Sequence, residues 1–585
     1  FNNPEIYLSQ HALERRTRHG IAIDSTDLPV TPRYLDSIQS AGNVTILNVS
    51  KWLNQVSVQT TDAAALAKIR TYTFVETAAP IAARKAEGGK GIQSVRVKHK
   101  ASKKKVFRQT ADDFDYGSSL PQIAIHNGQF LHNIGLRGQG MVIGMLDAGF
   151  FRYNTLRAFD SINQNGQVLG TYDFVAKETS VSEDHSHGMQ CLSVIAANIP
   201  SQFVGTAPKA GFYLFRTEDA ATEYPIEEHN WVCGAERVDS SGGDVISSSL
   251  GYSNGMSDPQ FDHTYAELNG NTTIAAQGAD IAAKKGLLVI NAAGNQGGET
   301  FKYIATPADA DSVLAVGAVN SNGQPGGFSS YGPSADGQVK PDVASVGVAT
   351  VVQTTGNTIG TNNGTSFACP NMAGLATCLW QGFREVNNMQ IIRALRQSGS
   401  QYTSPDDRIG YGIPDMKKAV LVLLKETAST AVTSTSCKNT LTWTSKDIEG
   451  MRYEIERKAP GETVFAKISE QTTKGTTFST HSYQWTDSLL NIQAGTITYR
   501  IRQVIDTAAA STTADYIDTV SVSLAATCTT TPVTNVPLTG EEYTLMPNPA
   551  LSKLTLRMFT SYSVSALSFR ITDNKGRILL VQKQS

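Results

Sequence analysis

Long apolar runs are missing from this 585-residue chain. The longest, residues 419–424, falls far short of the roughly 20 residues that a membrane-spanning helix needs, so no transmembrane segment is expected. Cysteine is scarce: six residues are too few for a disulfide scaffold and lack the close pairing of a zinc site. Charge of one sign is missing too, because 50 Lys and Arg against 52 Asp and Glu leave a net charge of -2. No global field therefore draws the chain to nucleic acid or to a membrane surface. What is present is ordinary globular material, 40% hydrophobic and 17% charged, spread over a length that calls for about three or four folding units. The chain opens at Phe1 without the basic and apolar stretches of a signal peptide, and any export signal is expected to have been removed.

Residues 1–84 read as helix (5–18), strand (43–50), strand (54–60) and helix (63–70), a small α+β unit. Residues 85–114 form a basic linker containing Lys98, Lys100, Lys103, Lys104 and Lys105. No aromatic side chains are interleaved there for base stacking, so the run reads as a solvated connection and not as a nucleic-acid surface. From 115 to 425, apolar strands at 141–146, 211–216, 244–248, 287–292 and 313–319 alternate with helical stretches. This alternation predicts an α/β fold with a parallel sheet covered on both faces. Residues 429–526 switch to period two, as in Tyr453-Glu454-Ile455-Glu456-Arg457, which predicts a β-sandwich. A Thr-rich linker, 527–540, leads to a short β-like segment, 541–585. Cys437 and Cys528 bracket the sandwich, and spacing alone leaves paired and free states equally open. Cys191, Cys233, Cys369 and Cys378 read as buried free thiols.

Four elements of the middle unit carry chemistry. Met141-Val142-Ile143-Gly144-Met145-Leu146-Asp147-Ala148-Gly149 sets an acid at the end of a buried strand, just before a glycine that lets the chain turn. His187-Gly188 heads a helix of small residues; His185, two residues earlier, reads as surface decoration, and no further Cys or His follows at ligand spacing, so no metal is expected. Gly364-Thr365-Ser366-Phe367-Ala368-Cys369-Pro370 places a serine at the start of an apolar helix, and Gly294-Asn295-Gln296-Gly297 ends another buried strand in a turn. Taken singly, each fits a helix cap or an ordinary turn.

Together, in the order Asp, His, Ser, they resemble the subtilisin family of serine peptidases. The resemblance covers residues 120–424 and includes Val204-Gly205-Thr206-Ala207-Pro208, Ser249-Leu250-Gly251, Thr306-Pro307 and Lys340-Pro341-Asp342-Val343. It implies Ser366 as nucleophile, His187 as general base and Asp147 as its orienting partner, with Asn295 and the Ser366 amide donating to an oxyanion. Ser249, Leu250 and Gly251 correspond to one wall of the substrate cleft, Ala292 and Gly294 to the wall of the specificity pocket, and Ala305 to its floor. No acid stands in that pocket, so a broad apolar preference is expected, with Lys302 near enough to intrude. The chemistry requires no cofactor. Structural calcium stays open, because the loop from Asn198 to Phe203 is not a clear match to the family's oxygen-rich loop.

Two departures stand out. Gln190 replaces the second histidine of the family's His-Gly-Thr-His motif, and Cys191 lies where the proteinase K branch carries a thiol beneath the base. Residues 1–84 resemble in layout the inhibitory prosegments of the family, with cleavage expected between Lys105 and Ser118. The sandwich resembles a fibronectin type III module, and Pro547-Asn548-Pro549 with its surroundings resembles the start of a type IX secretion sorting domain. A secreted or cell-surface monomer acting on polypeptides, and held by its own prosegment, is the resulting expectation. A scaffold kept only for binding is the competing class, and the four motifs together oppose it.

Overall fold

Apolar runs of four to seven residues between helical stretches can satisfy their backbone only side by side, so they pair into one sheet buried on both faces. The computed structural model describes residues 3–82, 112–505 and 513–529, together with the backbone of four later strands, Glu542–Met546, Thr555–Phe559, Leu567–Thr572 and Ile578–Gln584. The lysine run from Lys98 to Lys105, the first half of the expected cleavage region and the residues around Pro547 lie outside the described residues.

The N-terminal unit has helix α1 (Gln10–His19), α2 (Pro32–Gln39), β1 (Val44–Ser50), β2 (Gln55–Thr60) and α3 (Ala63–Ile69). The two strands form an antiparallel hairpin whose small core is Ile38, Val44, Ala65 and Ile69. The helix expected over 5–18 starts later, after a 3-10 turn at Pro4–Tyr7. Ser9 is extended there: its hydroxyl caps the Ala12 amide at 3.2 Å and its own amide donates to Ser240 O at 2.8 Å, which fixes the start of α1. Helix α2 was not expected from the sequence.

The middle unit holds β3 (Val142–Asp147), β4 (Val168–Asp173), α4 (His187–Ala196), β5 (Gly211–Arg216), α5 (Pro225–Ser241), β6 (Val245–Ser248), α6 (Ile274–Lys284), β7 (Leu288–Ala292), β8 (Val313–Val319) and β9 (Val343–Val346). Their order in the sheet is β9-β8-β7-β6-β3-β5-β4, parallel throughout. The five predicted strands lie inside it, and β4 and β9 complete it at the two edges. A hairpin, β10 (Thr350–Gln353) with β11 (Ile359–Asn362), precedes the long helix α7 (Thr365–Gly382), followed by α8 (Asn388–Gln397) and α9 (Met416–Thr427).

Beyond α9, antiparallel sheets of three and four strands span Ser429–Leu524 as β12 to β18. They enclose Leu441, Trp443, Tyr453, Tyr483, Tyr499 and Ile501. Cys437 and Cys528 form a disulfide with Cα atoms 5.5 Å apart, and the other four cysteines are free and buried. The sheets pack directly on the middle unit: Phe478 meets Phe383 edge-on at 5.6 Å, and Lys446 Nζ donates to Gly382 O at 2.6 Å.

Candidate active site

Asp147 is the last residue of β3 and so stands at the carboxyl edge of the sheet, where open α/β sheets place their ligand sites. Two glycines bring the histidine to it. Gly149 has φ 142°, and a Cβ there would lie 2.5 Å from the Asp184 side chain. A Cβ on Gly188 would lie 2.5 Å from Gly149 O and 2.7 Å from Asp147 Cβ. Without side chains at both positions the first turn of α4 closes on β3, and His187 Nδ1 comes to 2.7 Å from Asp147 Oδ1. That carboxylate is buried and also accepts the Ala148 amide at 2.8 Å. Burial of the ring disfavours the imidazolium, yet the Asp147 carboxylate beside it favours the cation, and the His187 pKa lies well above its ordinary value.

Ser366 is the second residue of α7, so its amide is one of the first-turn donors that no intrahelical carbonyl takes. Its hydroxyl donates to Ser249 O at 3.4 Å. Asn295 Oδ1 accepts from Thr365 N at 2.9 Å and from Thr365 Oγ1 at 3.0 Å, which leaves the Nδ2 hydrogens for an acceptor in the cleft. Gln296 Oε1 braces the same turn, taking the Asn295 amide at 2.8 Å and the Ser330 hydroxyl at 3.1 Å.

The pocket residues come together through the backbone. Tyr252 and Thr306 exchange two hydrogen bonds, at 2.8 and 2.9 Å, and Ala305 N donates to Ala293 O at 3.0 Å. A Cβ on Gly251 would therefore sit 2.9 Å from the Ala305 methyl, and one on Gly294 3.4 Å from it. Leu250 and Ala292 are buried beside them, and the Leu250 carbonyl accepts from Asn291 Nδ2 at 2.9 Å. Lys302 is exposed, with its ammonium over the rings of Tyr303 and Tyr331 at 5.8 and 5.4 Å.

Several contacts were not foreseen. His185 is not mere decoration, because its Nδ1 accepts the His187 amide at 3.3 Å. Gln190 Oε1 accepts from Asn362 Nδ2 at 2.9 Å, tying α4 to β11. Glu218, Glu223 and Glu227 gather beside the cleft; burial first, then nearby carboxylates (Glu228 in the case of Glu223), raise all three, Glu223 to about 7 and Glu227 to about 10. The signal was five acids between 218 and 228, but only the tertiary fold says that they converge.

Among the described residues, Asp147, His187 and Cys191 form the one group of acidic, His or Cys side chains close enough to hold a metal. The loop expected to correspond to a calcium site closes as a tight ladder, Asn198–Ile199 against Phe203–Val204, and contains no carboxylate. These residues do not fit a calcium ion, and calcium enters no step below.

Residues 138–412 match the subtilase family, and residues 1–99 match the peptidase S8 propeptide domain of Bacteroidota. Subtilisin NAT of Bacillus subtilis subsp. natto is 30% identical over 310 residues, covering 52% of this chain and 72% of that protein. A subtilisin of Bacillus pumilus is 30% identical over 293 residues, 49% of this chain and 94% of the relative. A thermostable alkaline protease of Halalkalibacterium halodurans is 29% identical over 284 residues, 48% of this chain and 68% of the relative. The chain therefore belongs to the subtilase family of serine endopeptidases and carries a Bacteroidota-type S8 propeptide domain ahead of its peptidase body.

Proposed function

We propose that the chain is an autoprocessed zymogen that hydrolyses peptide bonds through an acyl-enzyme, with Ser366 as nucleophile, His187 as general base and then acid, and Asp147 as the group that orients the imidazole. The observation that carries the reading is the 2.7 Å contact between His187 Nδ1 and the buried Asp147 carboxylate, beside a serine in the first turn of α7. Asp147 fixes the tautomer that leaves Nε2 free to take a proton, and it stabilises the cation that results. The Ser366 hydroxyl turns from Ser249 O to Nε2 when substrate fills the cleft, since catalytic hydrogen bonds tighten in the substrate complex. Asn295 Nδ2 and the Ser366 amide then take the oxyanion.

Substrate polypeptide lies along Ser249, Leu250 and Gly251, adding a strand to the enzyme's edge. The side chain before the scissile bond enters the slot of Ala292, Gly294 and Ala305, which favours apolar residues. The prosegment is the first occupant of this region: Ile226 N, at the head of α5, donates to Ile81 O at 3.0 Å. The two later sheets, of fibronectin type III kind, space the peptidase from a C-terminal segment that directs type IX secretion to the cell surface or medium. No helix of the described residues is long and apolar enough to cross a membrane, and the enzyme acts as a monomer without a cofactor.

Hydrolysis of a denatured protein substrate tests the reading. Ser366→Ala should abolish turnover, and Asn295→Ala should lower kcat about 10²–10³-fold, a magnitude that comes from subtilisin, a relative of this chain. Unchanged turnover in Ser366→Ala would refute the assignment.

A further inference from the structure

Pro370 lies inside α7, four residues after Ser366. In a regular helix the amide of residue 370 would bond the carbonyl of residue 366, but proline has no N–H to give. The freed carbonyl belongs to the residue read as the nucleophile, in a stretch where Ser366, Phe367, Ala368, Cys369 and Pro370 are all buried, so water does not take the place of the lost donor.

Two side chains from other elements take it. Ser249 Oγ donates to Ser366 O at 2.8 Å, and Cys191 Sγ donates to the same oxygen at 3.2 Å. Ser249 follows β6, and its own carbonyl accepts the Ser366 hydroxyl, so the two serines grip each other reciprocally. Cys191 stands one turn after His187 on α4, on the same face of that helix, with Sγ 4.0 Å from His187 Nδ1. Burial raises the pKa of the thiol, which keeps it protonated and therefore a donor. One carbonyl thus joins the helix of the nucleophile, the helix of the base and a strand of the sheet.

We propose that Ser249 and Cys191 are positioning residues: they replace the donor that Pro370 lacks and hold the Ser366 carbonyl, and with it the Ser366 hydroxyl, in register with His187. The proposal rests on Ser366 being the nucleophile. Its energetic content lies in placement, since a displacement of about 1 Å at a reacting group can cost on the order of 10²-fold in rate. It also explains why a serine and a thiol tolerate burial here without apolar replacement: both donate to the one carbonyl that Pro370 leaves free.

The experiment compares Ser249→Ala, Cys191→Ala, Cys191→Ser and the Ser249→Ala/Cys191→Ala pair, each made with and without Pro370→Ala, in the full chain. The readouts are kcat and KM on a peptide ester and the rate of labelling by a fluorophosphonate. The paired variant should lose roughly 10²-fold in kcat and in labelling rate with KM little changed. Cys191→Ser should retain most of the wild-type rate, because a hydroxyl donates in place of the thiol. Pro370→Ala should restore part of the loss in the paired variant by supplying the missing N–H, an effect that a merely structural role for the two side chains would not produce. A paired variant that labels within twofold of wild type, or one that loses activity with no recovery on adding Pro370→Ala, overturns the proposal. A wild type that does not label at Ser366 overturns instead the reading on which it rests.

Discussion

His187 is caught between two influences of opposite sign. Burial favours the neutral ring and the Asp147 carboxylate favours the cation, and the pKa lies well above the ordinary value of about 6.5. In the proposed mechanism only the neutral ring can accept the Ser366 proton, so activity should be lost as pH falls through that raised pKa. Initial rates on an uncharged peptide across the pH range should place the acidic midpoint of kcat/KM above about 6.5, and Asp147→Asn should move it downward while cutting the rate. A midpoint below that value would show that Asp147 does not govern the imidazole. At this scale the sequence was most informative, because Asp147, His187, Ser366 and Asn295 each stand in a short local pattern. Ser249 Oγ and Cys191 Sγ were visible as neighbours of such patterns, but their shared acceptor was not, because it joins residues 117 and 175 positions apart.

Between β5 and α5 the chain runs along the lip of the cleft, pinned at its start by Thr217 N to Asp147 O at 3.0 Å. Burial and the nearby charges of Glu218, Glu227, Glu223 and Glu228 raise the pKa of Tyr252, whose buried hydroxyl has no hydrogen-bond partner among the described residues. A carboxyl whose pKa is raised on folding contributes stability that is full below its unfolded value of about 4.3 and is lost as pH rises through the folded value. For Glu223 that window runs up to about 7. Glu223→Gln should therefore raise the melting temperature at pH 8 by roughly 2–4 °C relative to wild type and change it little at pH 4.5; an equal shift at both values would remove the carboxyl as the cause. Elements were legible in proportion to their burial. β8, buried at all seven positions, was plain in the sequence, whereas β4 is an edge strand with one well-buried residue and offers no continuous apolar run. Helix α2, eight residues long with a single buried side chain, was hidden for the same reason.

The whole molecule is held by a polar seam between the propeptide domain and the peptidase body. Asp239 on α5 is fully buried and pairs with both Arg15 and Arg16 of α1. Asp27 joins Arg16 at 3.1 Å and Lys285 at 3.0 Å. Nearby, Glu236 accepts from Ser50 Oγ at 2.5 Å and from the amides of Lys51 and Trp52 at 3.0 and 3.1 Å. Removing one member of such a buried pair strands the other charge, at a cost of about 3–5 kcal/mol. Arg15→Ala should accordingly let the processed N-terminal domain separate from the body on size-exclusion chromatography where wild type retains it; co-elution of both would show that the seam does not hold the complex. The pairing across the seam was not legible beforehand, since its partners lie more than 150 residues apart. The α/β class and its parallel sheet, by contrast, could be read from alternating buried runs alone.

The most direct test of the account is the intact mass of freshly purified protein and of Ser366→Ala, each before and after a fluorophosphonate. The account predicts that wild type loses its N-terminal domain from the chain and gains one probe adduct, mapped to Ser366, while Ser366→Ala stays whole and unlabelled. Loss of the same segment from Ser366→Ala made and purified alone, or an adduct at another residue, would contradict it.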